Sequence, residues 1–453
     1  MHLSFFIADR INRHENSAFA SFIMKLAIVS VALSVSVMII TTCLVMGFKN
    51  QIKSKVFDFW GHIHLNLPEY NQAIDPKPLK LNNSLLDSIR DIKSVPFIKE
   101  KSFLGIPFGN VEKESKTGIQ HVQGFVQLPG ILTSDNQIEG LVLKGVNRDF
   151  DTSFLAKYLV SGNGDIKDDS TGRTLIISQT TASRLKLNPG EDIVVYFVVG
   201  GQQIGRKFKI SGVYKTGLEE YDRKFAICSS TVIQKLLNWG PDEYTNYEIF
   251  VQNLNDLEAI NNYLYSDVLP TNVFSTTIHN KFNDIFEWLK LQDYNEVVIL
   301  GLMIAVCLIN MATVLIIFIL NRLKMIGILK TLGMKNRDLR MIFLLQASRI
   351  ILYGLIWGNL IGLGLSWIQY HYKPIKLNEA DYYLSIAPIE FSFPAIMTIN
   401  IVTLTIIMLF LILMLRTIDI GERARIPFIR HYAFGVVGIV FTHFMVNIGM
   451  TMG

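Results

Sequence analysis

The stretch LAIVSVALSVSVMIITTCLVMGF, residues 26–48, contains no Asp, Glu, Lys or Arg. At about 1.5 Å per residue a helix of this length reaches roughly 35 Å, enough to cross a hydrocarbon core of about 30 Å with some tilt. Residues 297–321, 350–372 and 391–415 are likewise uncharged, so the four runs are 23 or 25 residues long. They predict four transmembrane helices, TM1 to TM4, bounded at 22–48, 297–321, 342–372 and 391–415. A cleaved signal peptide would have an apolar core of only about 7 to 15 residues with a small-residue cleavage site behind it. Here the first run leads into Gly47-Phe48-Lys49 and is read as retained.

Half of the 453 residues are hydrophobic and the mean hydropathy is +0.33, more apolar than a soluble protein of ordinary composition. The net charge of +5 says little as a total, but its distribution orients the chain. Residues 1–25 carry three Lys/Arg, 322–349 carry seven against one acid, and 416–430 carry four against two. The short loop 373–390 has two Lys and three acids. Because positive loops stay in the cytoplasm, the N-terminus, the 322–341 loop and the basic segment 416–430 are expected there, and 49–296 and 373–390 are expected to face outward. The fold class is therefore an α-helical membrane protein with four transmembrane helices and a large mixed α/β domain, residues 49–296, inserted between TM1 and TM2. Cys43 and Cys307 fall inside apolar runs, which leaves Cys228 alone outside them and no disulfide framework.

Residues 1–20 pattern as an interfacial helix, with Leu3, Phe6, Ile7 and Ile11 on one face and Asp9, Arg10, Arg13 and His14 on the other. A frayed tail is the plainer alternative. In the outward segment, 84–94 (SLLDSIRDIKS) and 180–187 read as helices. Residues 192–199 and 206–214 read as strands joined by the turn-rich Gly200 to Gly205. In TM3, Gly354, Gly358, Gly362 and Ser366 form a stripe of small residues at every fourth position, the pattern that lets two helix backbones approach. Asn310 in TM2 needs a partner inside the bundle, either on another helix or on a substrate.

The dipeptide Gly-Lys is absent, so no G-x-x-x-x-G-K-[ST] phosphate loop exists and the chain is not expected to hydrolyse nucleotide. No catalytic or metal residue is assigned. His62 and His64 alternate on a strand without a third ligand nearby, and Glu219-Glu220-Tyr221-Asp222 reads as a solvated turn or an interdomain salt-bridge site. In the cytoplasmic loop, RLKMIGILKTLGMKNRDLR (322–340) places Met325, Ile326, Ile328, Leu329 and Leu332 before a helix stop at Gly333. This predicts a helix lying along the membrane with its apolar face on the bundle and Lys/Arg outward, a shape a cytoplasmic motor can grip.

Three stretches, 19–65, 177–222 and 325–346 (MIGILKTLGMKNRDLRMIFLLQ), together with the long-loop topology, resemble the MacB/FtsX-like ABC transporter permeases, and among them the lipoprotein-releasing (Lol) permeases. The resemblance implies the inner membrane of a bacterium with two membranes and a periplasmic 49–296 domain that moves with the ATP cycle. It implies a second permease, the same or a homologous chain, and a cytoplasmic ABC ATPase dimer that binds ATP and Mg, with no cofactor on this chain. Membrane lipids surround the complex, and nucleic acid has no part in it. Lys324, Met325, Ile326, Gly327, Ile328, Leu329, Lys330, Thr331, Leu332 and Gly333 would form the ATPase-coupling helix. A lipoprotein cargo would enter a cavity at the ends of TM1 and TM2, where Val45, Met46 and Phe48 face Val297, Val298 and Leu300, and pass to a periplasmic carrier.

Relatives often have an acid where Met325 stands, and one Lol subunit has a longer carrier-docking hairpin than Gly200 to Gly205. The uncharged 431–453, with His443 and Asn447, fits a fifth spanning helix and an interfacial helix equally. An FtsX-like regulator of cell-wall hydrolases and a MacB-like efflux permease are the alternative functions.

Overall fold

The computed structural model describes residues 18–68, 76–103, 106–134, 137–166, 172–423 and 435. Most of the expected interfacial helix 1–20, and the 431–453 segment apart from 435, lie outside them. The chain divides into a helical unit (Met1–Lys49, Leu289–Ile375, Ile386–Gly453) and an α/β unit (Asn50–Trp288, Lys376–Ser385). The expected 49–296 domain thus ends its own packing at Trp288 and gains ten residues from the 373–390 loop.

Among the described residues four helices are long and apolar enough to cross a membrane: α1 (Ala18–Trp60), α9 (Asn283–Asn321), α11 (Asn336–Tyr372) and α13 (Phe393–Arg423). Each outruns the uncharged stretch that predicted it. Nothing in the flanks NQIKSKVFDFW (50–60) or NDIFEWLKLQDYNE (283–296) breaks a helix, neither holding Pro or Gly, so charge ends the apolar run without ending the helix. The core of the helical unit takes Val31, Val35 and Ile39 from α1, Met311 and Leu315 from α9, Ile350 and Ile351 from α11, and Ile407 and Leu411 from α13.

The TM3 stripe is where α11 meets α1. A Cβ added at Gly354 would lie 2.6 Å from Val31, one at Gly358 2.9 Å from the Ala32 carbonyl, and one at Gly362 3.1 Å from Ser36. Ser366 continues the stripe, buried. Asn310 of α9 donates to the Ser30 hydroxyl of α1, the interhelical alternative. A reciprocal amide pair that the hydropathy pattern missed joins α11 to α13: Asn359 Nδ2 donates to Asn400 Oδ1 at 2.7 Å, and Asn400 Nδ2 to Asn359 Oδ1 at 3.0 Å.

The α/β unit is built on strands β1 (Ile63–Asn66), β2 (Pro96–Phe103), β3 (Ile106–Glu114), β4 (Ile119–Ser134), β5 (Gln137–Val146), β6 (Leu159–Gly162), β7 (Thr174–Ser178), β8 (Asp192–Val199), β9 (Gln202–Tyr214), β10 (Phe225–Ser229), β11 (Asn246–Val251) and β12 (Phe274–Thr277). Its helices are α2 (Asn83–Arg90), α3 (Ser153–Tyr158), α4 (Gln179–Leu185), α5 (Glu219–Lys224), α6 (Ser230–Leu237), α7 (Leu257–Tyr263), α8 (Ile278–Lys281) and α12 (Glu379–Tyr382). Pairing runs β4-β5-β10-β7-β9-β8 and back to β4, closing a six-stranded ring. Leu143, Val195 and Phe197 fill it, and they converge on Gly130, where an added Cβ would lie 2.8 to 3.2 Å from them. Cys228 is also buried. The first half of β4 pairs instead with β11, which carries β1 and β12 beyond it.

The Gly200 to Gly205 connection is corrected: only Gly200 and Gly201 turn, both at positive φ (56° and 76°), and Gln202 already pairs with Val199. Two left-handed residues suit a tight hairpin, and the strand resumes at once, with Gln203 opposite Val198 and Ile204 opposite Phe197. Helix 84–94 is also shorter than expected, ending at Arg90.

Gly358→Ala is expected to destabilise the detergent-solubilised protein by about 1–3 kcal/mol through overpacking against α1. Gly364→Ala, on the same helix with nothing within 4 Å, should be neutral or gain up to about 1 kcal/mol of helix propensity. Thermal unfolding of the two variants checks the contrast, and equal behaviour would contradict the packing.

Candidate functional site: an exposed helix and a buried anchor

In the helical unit, α10 (Leu323–Thr331) follows α9 and buries none of its residues. Gly333, at φ +84°, ends it. The Gly333 N–H donates to the Lys330 carbonyl and the Met334 N–H to the Leu329 carbonyl, both at 3.0 Å. This paired closure needs a left-handed residue, which glycine supplies without strain.

The single apolar face expected of this helix is corrected. At 100° per residue Met325, Ile326 and Leu329 share one arc, and Ile328 with Leu332 takes the next. The first three are half-buried, Ile326 against the bundle core, whereas Ile328 and Leu332 are 61% and 77% exposed. Lys324, Gly327, Lys330, Thr331 and Gly333 are exposed as well. The outward side is thus an apolar i, i+4 pair among basic residues, not a basic face alone.

The six expected cavity residues do not share one open surface within the helical unit. Val45 and Phe48 are buried, Met46 is half-buried and Leu300 packs on the bundle core, while Val297 and Val298 are exposed. Nearby, Thr42 donates to Glu296 at 2.7 Å and Lys49 pairs with Asp293, so polar ties join α1 to α9 there.

In the α/β unit, the C-terminal end of α1 is held by a buried polar network. Helix ends leave carbonyls without intrahelical donors. Lys144 of β5 supplies one, its Nζ donating to the Phe59 carbonyl at 2.6 Å, and His64 of β1 supplies another, its Nε2 donating to the Trp60 carbonyl at 2.6 Å. Lys144 is almost fully buried, 5.0 Å from the ring centres of Phe59 and Trp60 and 4.9 Å from Phe125. Glu248 of β11 balances its charge at 2.5 Å and accepts from Gln123 Nε2 at 2.7 Å. Burial pulls the Lys144 amine below its ordinary pKa while Glu248 acts against that pull.

The histidine pair is absorbed into the same region. His64 Nδ1 faces Lys281 Nζ at 3.1 Å, so the ring donates at one nitrogen and accepts at the other, the neutral form. Burial holds its pKa well below the ordinary value. His62 accepts from the Val251 N–H at 2.8 Å, and burial brings its pKa down to about 4. Among the described residues no cluster of three His, Cys, Asp or Glu side chains is placed to hold a metal. The Glu219 to Asp222 stretch is not a solvated turn but α5: Tyr221 and Asp222 are buried, and only Glu219 and Glu220 are outside, paired with Arg223 and Lys224.

Sequence reasoning missed Lys144 and Glu248. Each is a single charge in an otherwise uncharged strand segment, LVLKGV (141–146) and NYEIFV (246–251), and their opposite signs were the available signal. Lys144→Met should destabilise the α/β unit by about 3–5 kcal/mol, because it strands Glu248 in the interior. Lys144→Met with Glu248→Leu should recover part of that loss. It should remain about 1–3 kcal/mol below the unaltered protein, because the Phe59 carbonyl loses its Lys144 donor and the Gln123 Nε2 its Glu248 acceptor. Denaturant unfolding followed by Trp fluorescence checks both, and a double variant as stable as the unaltered chain would show that the helix end does not need the network.

Residues 297–419 match the FtsX-like permease C-terminal domain. The chain is 22% identical over 416 residues to the lipoprotein-releasing system transmembrane protein LolC of Xylella fastidiosa, covering 86% of this chain and 89% of the relative. It is 23% identical to LolE of Haemophilus influenzae, covering 81% and 84%. The extracellular domain of the noncanonic ABC-type transporter YknZ from Gram-positive bacteria covers 48% of this chain and 99% of its own at 13% identity, with a TM-score of 0.30, a score that supports no inference about fold. Residues 297–419 thus match an FtsX-like permease C-terminal domain, and over most of its length the chain is similar to the transmembrane proteins of lipoprotein-releasing systems.

Proposed function

We propose that this chain is the permease subunit of an ABC transporter that extracts lipoproteins from the outer leaflet of the inner membrane. A separate ATPase dimer hydrolyses ATP with Mg, and this chain passes the resulting motion to its α/β domain in the periplasm. The observation that carries the reading is α10, which buries nothing and turns Ile328 and Leu332 outward in a chain that resembles LolC along 86% of its length. The concentration of Lys/Arg in 322–349 favours a cytoplasmic α10 and a periplasmic domain. A second permease, the same or a homologous chain, completes the assembly, and the exposed Val297 and Val298 of α9 offer an apolar entry for cargo.

The energetics fit. An acyl chain is held in lipid by about 0.8 kcal/mol per CH₂, so removing several chains requires an external source and an apolar path. Recruitment of a carrier through the β8–β9 hairpin fits poorly, since a two-residue turn offers little against the roughly 800 Å² per partner of a standard interface. The second permease or the 61–84 region would supply that contact.

A photo-crosslinking residue at Met46, Val298 or Gln202, in cells making a tagged lipoprotein and its carrier, tests both halves. Lipoprotein adducts are expected at Met46 and Val298, with no carrier adduct at Gln202. Absence of lipoprotein from α1 and α9 would defeat extraction. A strong carrier adduct at Gln202 would defeat the recruitment half alone.

A further inference from the structure

The segment between α11 and α13 is not a plain loop. Residues 376–385 pack with the α/β unit, although the residues on both sides of them belong to the helical unit. The segment is closed on itself by the Leu377 N–H donating to the Ser385 carbonyl at 3.0 Å, and α12 turns inside it. Leu384 is buried, and Tyr383 takes a left-handed backbone at φ +58°, unusual for a tyrosine.

Three contacts hold it. Lys215 Nζ pairs with Glu379 Oε2 at 2.6 Å, Lys55 Nζ of α1 donates to the Tyr383 carbonyl at 2.8 Å, and the Tyr383 ring meets the Trp288 ring of α9 edge-on at 5.8 Å. The receiving surface is shaped for this. At Gly217 a Cβ would lie 2.6 Å from Glu379 Oε1 and 2.7 Å from Lys55 Nζ, so any side chain there would displace both. Buried Asp222 fixes the turn, accepting from the Thr216 hydroxyl at 2.7 Å and from the Gly217 N–H at 3.0 Å. That is the role of Asp222 in the acidic stretch.

We infer that residues 376–385 are a clasp that fastens the α11–α13 connection to the α/β domain through Lys215, Lys55 and Gly217. It is a point of motion transfer additional to the two helices, α1 and α9, that enter the domain. A transport cycle that shifts α11 or α13 pulls on the domain through this clasp. The inference rests on the permease reading above.

The test uses the full-length complex with its co-purified ATPase and three variants: Lys215→Glu, Glu379→Lys and the two together. Hydrogen exchange of the 376–385 peptide should rise about three- to tenfold in each single variant, since an ion pair becomes a like-charge contact. ATP hydrolysis stimulated by a triacylated lipoprotein should fall at least about threefold in each. The double variant, with the charges exchanged, should recover about half of each loss, because Lys at 379 regains a partner at 215 but stays beside Lys55.

Unchanged exchange in the single variants would show that the pair does not hold the segment. Raised exchange with undiminished stimulation would show that the segment is held but transmits nothing; either result overturns the clasp. If the unaltered complex shows no stimulation by lipoprotein, the cargo reading fails instead. The clasp is then judged by whether exchange at 376–385 differs between ATP-bound and nucleotide-free complex, and no difference overturns it.

Discussion

The last carbonyls of α1 are buried among aromatic rings, and their donors come from two strands, β1 just beyond the helix and β5 far along the sequence. Lys144 bonds Phe59 and leans on Glu248, and His64 bonds Trp60. A charge buried this deeply is tolerated only when paired and hydrogen-bonded. β5, β11, β4 and β1 must therefore all sit in register for α1 to end where it does. The closed ring of six strands supplies that register, with β4 long enough to belong both to the ring and to the β11-β1-β12 extension. An isolated hydrophobic contact would leave the helix end free to slide; directional bonds to two carbonyls do not.

The helical unit solves a different problem. Its helices satisfy their own backbones, so packing is set by side-chain size and by a few polar links. Gly354, Gly358 and Gly362 bring α11 against α1, Asn310 reaches Ser30, and Asn359 pairs with Asn400. These are short-range fits that tolerate little extra volume.

Much of this was legible in the sequence because it rests on local pattern. Uncharged runs marked the four long apolar helices, fourfold spacing marked the glycine stripe, and Gly333 marked the end of α10. What stayed hidden depends on pairs distant in the chain. Lys144 and Glu248 are 104 residues apart, and Lys215 and Glu379 are farther still, so no periodicity links them. The hairpin was read too long because Gly200 to Gly205 is rich in turn residues, yet only two of them have the geometry of a turn. The face of α10 was misread because five apolar residues span two arcs of a helix, and only packing shows which arc is covered.

If the chain is a permease driven by a partner ATPase, α10 is the helix that ATPase must hold. A photo-crosslinking residue at Ile328 in cells, with the adduct identified by mass spectrometry, tests this most directly. The expected result is an adduct to a protein carrying a phosphate-binding loop, lost when Leu332 is replaced by Asp, whose carboxylate is costly to desolvate in an apolar groove. Adducts to lipid alone, or to a protein without such a loop, would contradict it.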